Sequence, residues 1–146
     1  MNIINRNAFH NYEFVHSYEA GIVLSGCEVK SIVNGQCQIS DAYVFIRNGE
    51  AFLLNCHISP YGYSDNRDYS PTQTRKLLLH KREIVNIASD TIIKKLVAIP
   101  TKMYFKNGKL KVEIQIGRGK KNYDKRQTLK DRSMEKEIRQ QMKRKN

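Results

Sequence analysis

The clearest pattern in the chain lies between residues 109 and 116. Leu110, Val112, Ile114 and Ile116 alternate there with Lys109, Lys111, Glu113 and Gln115. A period of two marks a strand with one buried and one wetted face. Asn107-Gly108 precedes this run and residues 102–106 precede that turn, so the two runs predict a hairpin. Asn-Gly suits a type I′ turn, whose central residues need positive φ. Asn48-Gly49 is placed in the same way between residues 42–47 and 50–54, predicting a second hairpin. A third Asn-Gly, at Asn34-Gly35, follows Val29, Ile32 and Val33, which fit a helical face. It predicts a short helix over 28–33 that stops at Gly35. Residues 12–18 and 20–24 add two strands.

The longest helical pattern is 75–89, free of Pro and Gly, with Thr74 as its N-cap. Leu77, Leu78 and Leu79 are too broad for one narrow stripe, so the segment reads as two short helices or one packed on two sides. Residues 59–72 are rich in Pro, Gly, Asn, Asp and Ser and predict an ordered loop carrying Tyr61, Tyr63 and Tyr69. Several short antiparallel strands with one interposed helix point to a mainly β fold. The expected form is an OB-like closed antiparallel barrel with short peripheral helices and a basic C-terminal tail.

Charge divides the chain. Residues 1–117 hold 14 basic and 10 acidic side chains, whereas 118–146 hold 12 basic and 4 acidic. The division predicts a body over 1–117 and a tail over 118–146, and a polyanionic partner. Nucleic acid and an anionic membrane surface both satisfy charge alone. No apolar stretch is long enough to span a bilayer, and residues 1–9 carry no apolar signal segment, so the expected location is the cytoplasm. Cys27, Cys37 and Cys56 lack C-x-x-C spacing and read as small, buried or half-buried residues in a reducing compartment.

The tail opens with Gly117-Arg-Gly-Lys-Lys-Asn-Tyr-Asp-Lys-Arg126, where an aromatic lies among cations. Cations neutralise phosphates and a ring stacks on an unstacked base, so the segment suits RNA. Residues 129–143 then carry helix formers with Met134, Ile138 and Met142 four apart. So thin a stripe predicts a segment disordered when free and helical on its partner.

Catalysis finds no support. His10, His16, His57 and His80 stand in no H-E-x-x-H or H-x-E arrangement, and no G-x-S-x-G elbow occurs. Lys121 occupies the Ser/Thr position of a phosphate loop, which removes nucleotide hydrolysis. No metal or cofactor is expected, and the chain reads as a non-enzyme.

Nine blocks then occur in order: Asn5-Arg-Asn-Ala8, Tyr18-Glu-Ala-Gly-Ile22, Gly26-Cys-Glu-Val-Lys-Ser31, Ile39-Ser-Asp-Ala-Tyr43, Gly49-Glu-Ala51, His57-Ile-Ser-Pro-Tyr61, Thr74-Arg-Lys-Leu-Leu-Leu-His80, Tyr104-Phe-Lys-Asn-Gly108 and Gly119-Lys-Lys-x-Tyr-Asp-Lys-Arg126. Together they resemble the small protein B, or SsrA-binding, family of tmRNA-binding proteins of trans-translation. The resemblance spans roughly residues 5–139. It implies an OB-like barrel that binds the tRNA-like domain of tmRNA. It also implies delivery of alanyl-tmRNA, with elongation factor Tu, to stalled ribosomes, with the tail reaching the decoding centre and the empty mRNA channel. A monomer is expected.

Carried over by motif, Glu19, Leu78 and His80 match RNA-contact positions. Lys30, Arg75 and Lys76, from the same blocks, join them as RNA-binding candidates. Gly119, Lys120, Lys121, Tyr123, Asp124, Lys125 and Arg126 match the ribosome-contacting tail motif, and Ile138 and Met142 are its distal apolar residues. One departure is Val33, where the family usually has Arg, which removes one phosphate contact. Without the resemblance, Glu19 reads as a solvated carboxylate, Leu78 as core and His80 as a helix-surface histidine. The rival readings are a generic single-strand-binding or ribosome-associated OB protein, and an RNA nuclease.

Overall fold

The alternating run becomes the longest strand pairing in the molecule. In a computed structural model, which describes residues 2–62 and 69–120, β9 (Lys109–Gly119) pairs antiparallel with β8 (Val97–Lys106) and with β2 (Tyr12–Ile22). Leu110, Val112, Ile114 and Ile116 are all buried. Each such side chain contributes about 1.5–3 kcal/mol by leaving water. The remaining strands are β1 (Asn2–Ile4), β3 (Cys37–Gln38), β4 (Tyr43–Arg47), β5 (Glu50–Leu54), β6 (His57–Ile58) and β7 (Arg75–Leu78). Seven form one antiparallel sheet in the order β1-β8-β9-β2-β7-β5-β4, and β3 pairs with β6.

Both hairpins form as their Asn-Gly turns predict. Asn48 and Asn107 have φ of 53°, and Gly49 and Gly108 have φ of 75° and 76°. The third Asn-Gly ends a helix, α2 (Gly26–Val33), with Gly35 at φ 76°. This helix starts two residues before the expected position because Ser25 and Glu28 form a capping box. The Ser25 hydroxyl accepts from the Glu28 N–H at 3.2 Å, and the Glu28 carboxylate accepts from the Ser25 N–H at 3.1 Å. A short helix, α1 (Arg6–Asn11), is capped by the buried Asn5, whose side-chain oxygen accepts from the Ala8 N–H.

Two expectations are corrected. The helix over 75–89 is instead β7 followed by α3 (Lys81–Ala88) and a π-helical turn (Ser89–Ile93). Arg75 and Leu77 point inward while Lys76 and Leu78 point outward, so this segment obeys a period of two. Pairing with β5 and β2 overrides its helix propensity. The barrel is also not closed. The sheet curls until β4 contacts β8, but among the described residues no hydrogen-bonded ladder joins β4 to another edge. Strand β9 runs two residues beyond Gly117, and the Lys120 N–H donates to the Asn11 carbonyl at 2.8 Å.

The core is lined by Ile32 from α2, Ile87 from α3 and the inward residues of the sheet. Cys37 and Cys56 are buried there with their sulfurs 3.9 Å apart, as expected of small apolar residues, while Cys27 is exposed. Beside this core lies a buried ion pair. Arg75, 3% exposed, donates from Nε to Glu28 Oε2 at 2.8 Å. Its other nitrogens donate to the Tyr69 hydroxyl at 3.0 Å, the Pro71 carbonyl at 2.9 Å and the Cys56 carbonyl. Tyr69 in turn donates to the Ile58 carbonyl at 2.8 Å. Burial pushes the Glu28 carboxyl up, but the Ser25 N–H and the Arg75 guanidinium outweigh it and hold the group below its ordinary value of 4.5.

Removing one partner of this pair strands the other charge. Glu28→Ala is therefore expected to lower unfolding free energy by about 3–5 kcal/mol, measured by urea denaturation. Because the folded value is depressed, the stabilisation is present above the unfolded value and is lost as pH falls through the folded one. The wild-type midpoint should fall on acidification below about pH 4.5, and the variant should lose part of that slope. Gly117 gives a second test. It is buried opposite the β2 bulge, and a Cβ there would lie 2.2 Å from the Glu13 carbonyl oxygen and 2.9 Å from Phe14 Cα. Gly117→Ala is expected to cost about 1–3 kcal/mol through overpacking, whereas Gly119→Ala, with no atom within 4 Å, should leave the urea midpoint nearly unchanged.

Candidate nucleic-acid interface

Strand parity decides which side chains reach the outer face of the sheet. Along β7, Arg75 and Leu77 are buried, so Lys76 and Leu78 face out. Leu78 pairs with Gly21, Gly21 with Lys111, and Lys111 with Tyr104. These four strands thus present one row: Leu78, Gly21, Lys111 and Tyr104. Lys102, Lys106 and Lys109 share this face.

Leu78 is 53% exposed, an unusual position for a leucine beside a packed core. It lies across Gly21, where an added Cβ would meet Leu78 Cβ at 3.3 Å. The glycine leaves room for the leucine to lie flat on the sheet. A shallow cavity of about 350 Å³ opens beside it, lined by Glu19, Gly21, Leu78, Leu79, His80, Glu83 and Lys111. A second, of about 330 Å³, continues on the other side of Leu78 toward Leu24, Val29 and Lys109. Glu19, distant in sequence from Leu78 and His80, therefore meets them at one concavity.

Glu19 on β2 is held from β8, across the intervening β9. The Tyr104 hydroxyl donates to its Oε2, and Lys106 Nζ lies 3.4 Å from its Oε1. The Tyr104 hydrogen bond is the largest influence holding the Glu19 carboxyl below its ordinary range, with Lys106 adding to it. Burial, reinforced by Glu19, pushes the Tyr104 hydroxyl up to about 12. At neutral pH Glu19 is thus an ionised acceptor fixed by a neutral donor. A carboxylate so placed accepts from a base N–H or a ribose 2′-hydroxyl. His80 is exposed at the N-terminus of α3, and its backbone N–H donates to Glu83 at 3.0 Å. That bond fixes the backbone from which the imidazole projects.

The other expected residues separate. Lys76 is exposed on the same face and pairs with Glu50 at 3.4 Å. Lys30 is exposed on α2, with its ammonium 5.4 Å from the Tyr61 ring centroid. Arg75 is corrected as a contact residue. Its guanidinium is buried and engaged with Glu28, Tyr69, Pro71 and Cys56, so it faces no outside ligand. Gly119 ends β9, and Lys120 Nζ approaches the Phe9 carbonyl at 3.4 Å. Lys121, Tyr123, Asp124, Lys125, Arg126, Ile138 and Met142 lie outside the described residues, as does the helix expected over 129–143.

Sequence reading overlooked Gly21, Tyr104, Lys106 and Lys111 as parts of this site. The available signal was the lysine spacing on the polar side of β9. Only strand register could bring that side to Glu19. Among the described residues no group of three or more His, Cys, Asp or Glu could hold a metal, and no helix is long and apolar enough to cross a membrane.

The chain is similar over most of its length to known proteins. A family model described as "SmpB protein" matches residues 2–144. The SsrA-binding protein of Sulfurihydrogenibium sp. is 48% identical over 134 residues, covering 92% of this chain and 88% of that protein. The SsrA-binding protein of Enterococcus faecalis is 46% identical over 134 residues, covering 92% and 87%. A solved structure described as "tmRNA-SmpB: a journey to the center of the bacterial ribosome" superposes with a TM-score of 0.69 at 38% identity, covering 83% of this chain and 85% of that one. With a family model matched almost from end to end and relatives nearly half identical over most of both lengths, this chain belongs to the SmpB protein family.

Proposed function

We infer that the protein is a tmRNA-binding adaptor of trans-translation, not an enzyme. It binds the tRNA-like domain of tmRNA and supports delivery of alanyl-tmRNA, with elongation factor Tu, to stalled ribosomes. The observation that carries this reading is the concavity uniting Glu19, Leu78 and His80 on a lysine-bearing sheet face. Leu78 packs on a nucleoside, Glu19 accepts from a base or sugar donor, and Lys102, Lys106, Lys109 and Lys111 neutralise phosphates. The names of the relatives support the same partner.

The division of labour rests on the motif resemblance, and the uneven charge fits it. The body, over 1–117, recognises tmRNA as a partly open, OB-like barrel. The tail, over 118–146, reads the ribosome: Gly119 to Arg126 at the decoding centre, Ile138 and Met142 in the mRNA channel as the tail becomes helical. The protein acts as a cytoplasmic monomer without a cofactor.

The most direct experiment identifies the RNA that copurifies with the protein. One dominant species with a tRNA-like acceptor end is expected, and a broad mixture would exclude the specific adaptor in favour of a generic RNA binder. Incubation with labelled RNA and Mg²⁺ should give stoichiometric binding without cleavage. Leu78→Ala and Glu19→Gln are each expected to weaken tmRNA binding in a gel-shift titration. Alanines at Asp124, Lys125 and Arg126 should spare most of that binding and abolish peptide tagging. Equal loss of binding in both sets would refute the division. Log affinity should fall with log salt at a slope of about −0.7 to −0.9 per neutralised phosphate.

A further inference from the structure

The outer face does not end at Leu78. Strand register carries it across β7 onto the β4–β5 hairpin, where Lys76 pairs with Phe52 and Phe52 with Phe45. All three side chains point away from the core, because Leu77, Leu53, Ala51 and Val44 occupy the inward positions. Phe45 is 47% exposed and Phe52 half-buried. With Arg47, Leu54 and Thr74 they line a shallow slot of about 290 Å³. Two adjacent phenylalanines turned to water on a sheet are costly unless something covers them.

We propose that Phe45 and Phe52 form a stacking platform for an unpaired base of the RNA bound at the Glu19–Leu78 concavity, extending that interface to the edge of the sheet. Three observations favour RNA over a protein surface as the occupant. Lys76 is common to both areas: it follows Phe52 across the ladder and precedes Leu78 by two residues on the same face. Arg47 lines the slot and Lys76 is the ladder partner of Phe52, with Glu50 ion-paired to Lys76 and facing Arg47; two cations against one carboxylate leave this edge net positive, which suits a base still joined to its phosphates. Phenyl rings on the outer face of a sheet also accept any base, since every base has a π-face. Sequence pattern alone hides the platform, because apolar residues occupy both faces of the hairpin.

This inference rests on the RNA-binding reading above, and the experiment separates the two. The chain contains no tryptophan, so Phe45→Trp introduces a single reporter into the full-length protein. An RNA transcript of the tRNA-like domain of tmRNA is titrated in, and binding is followed independently by gel shift. Quenching of the Trp emission and its protection from acrylamide, both tracking the gel-shift curve, are expected. RNA binding with an unchanged emission would overturn the platform while leaving the adaptor reading intact. No gel shift with the wild-type chain would overturn both. An emission shift on raising protein concentration without RNA would show that the patch joins two copies of the chain, and would also overturn the platform.

The double variant Phe45→Ala, Phe52→Ala should bind this RNA about five- to a hundredfold more weakly. Its salt slope should stay unchanged, whereas Lys76→Ala should reduce the slope by about one phosphate equivalent. Phe45→Leu with Phe52→Leu keeps the apolar bulk and removes the π-faces. It should bind as weakly as the alanine variant while unfolding at the wild-type urea midpoint. Full affinity in the leucine variant would show that the rings serve packing alone and would overturn the proposal.

Discussion

The buried Glu28–Arg75 pair is the constraint on which the outer face depends. It joins the first turn of α2 to the first residue of β7, and Arg75 draws in Cys56, Tyr69 and Pro71. A guanidinium so deeply placed is tolerable only where its donors are satisfied and its charge is matched. Once Arg75 is fixed inward, strand geometry leaves no freedom: Leu77 also points inward and Lys76 and Leu78 point outward. A slip of one residue would bury Lys76 and Leu78 and expose Arg75 to water. The pair therefore sets which residues of β7 face outward without touching that side.

Parity also explains why an exposed leucine is stable there. Leu78 rests on Gly21, which has no side chain to lift it from the sheet. Tyr104 and Lys106 hold Glu19 nearby, and Lys111 lines the space between. Recognition groups supplied by β2, β7, β8 and β9 are thus fixed by the ladders that build the core. A surface made this way is preorganised, so little conformational freedom remains to be lost on binding.

Much of the fold was legible in the sequence because it follows from local rules. The alternation in β9 and the Asn-Gly turns at Asn48 and Asn107 needed no long-range information. The error at 75–89 has the opposite origin. Arg75, Lys76 and three leucines satisfy helical propensity, and only pairing with Ala51, Leu53 and Gly21 makes the first four residues a strand. Arg75 looked like a cation for RNA because its partner Glu28 is 47 residues away. Motif resemblance placed Glu19, Leu78 and His80 together. The supporting Tyr104, Lys106 and Lys111 required register, which alternation alone does not specify. Closure of the barrel likewise depends on how strand edges meet, and no periodic pattern encodes that.

Strand β2 has one further consequence. Tyr12 at its start pairs with Gly119, where the basic segment leaves the body, and Gly21 near its end lies beneath Leu78. At about 3.3 Å per residue the two points are separated by roughly 30 Å. One continuous strand thus sets the spacing between the Glu19–Leu78 concavity and the end of β9. Its length is locked by pairing with β9 on nearly every residue, so the spacing cannot drift by insertion without breaking the core. The distance from that concavity to the end of β9 is therefore written in the number of residues in a single strand.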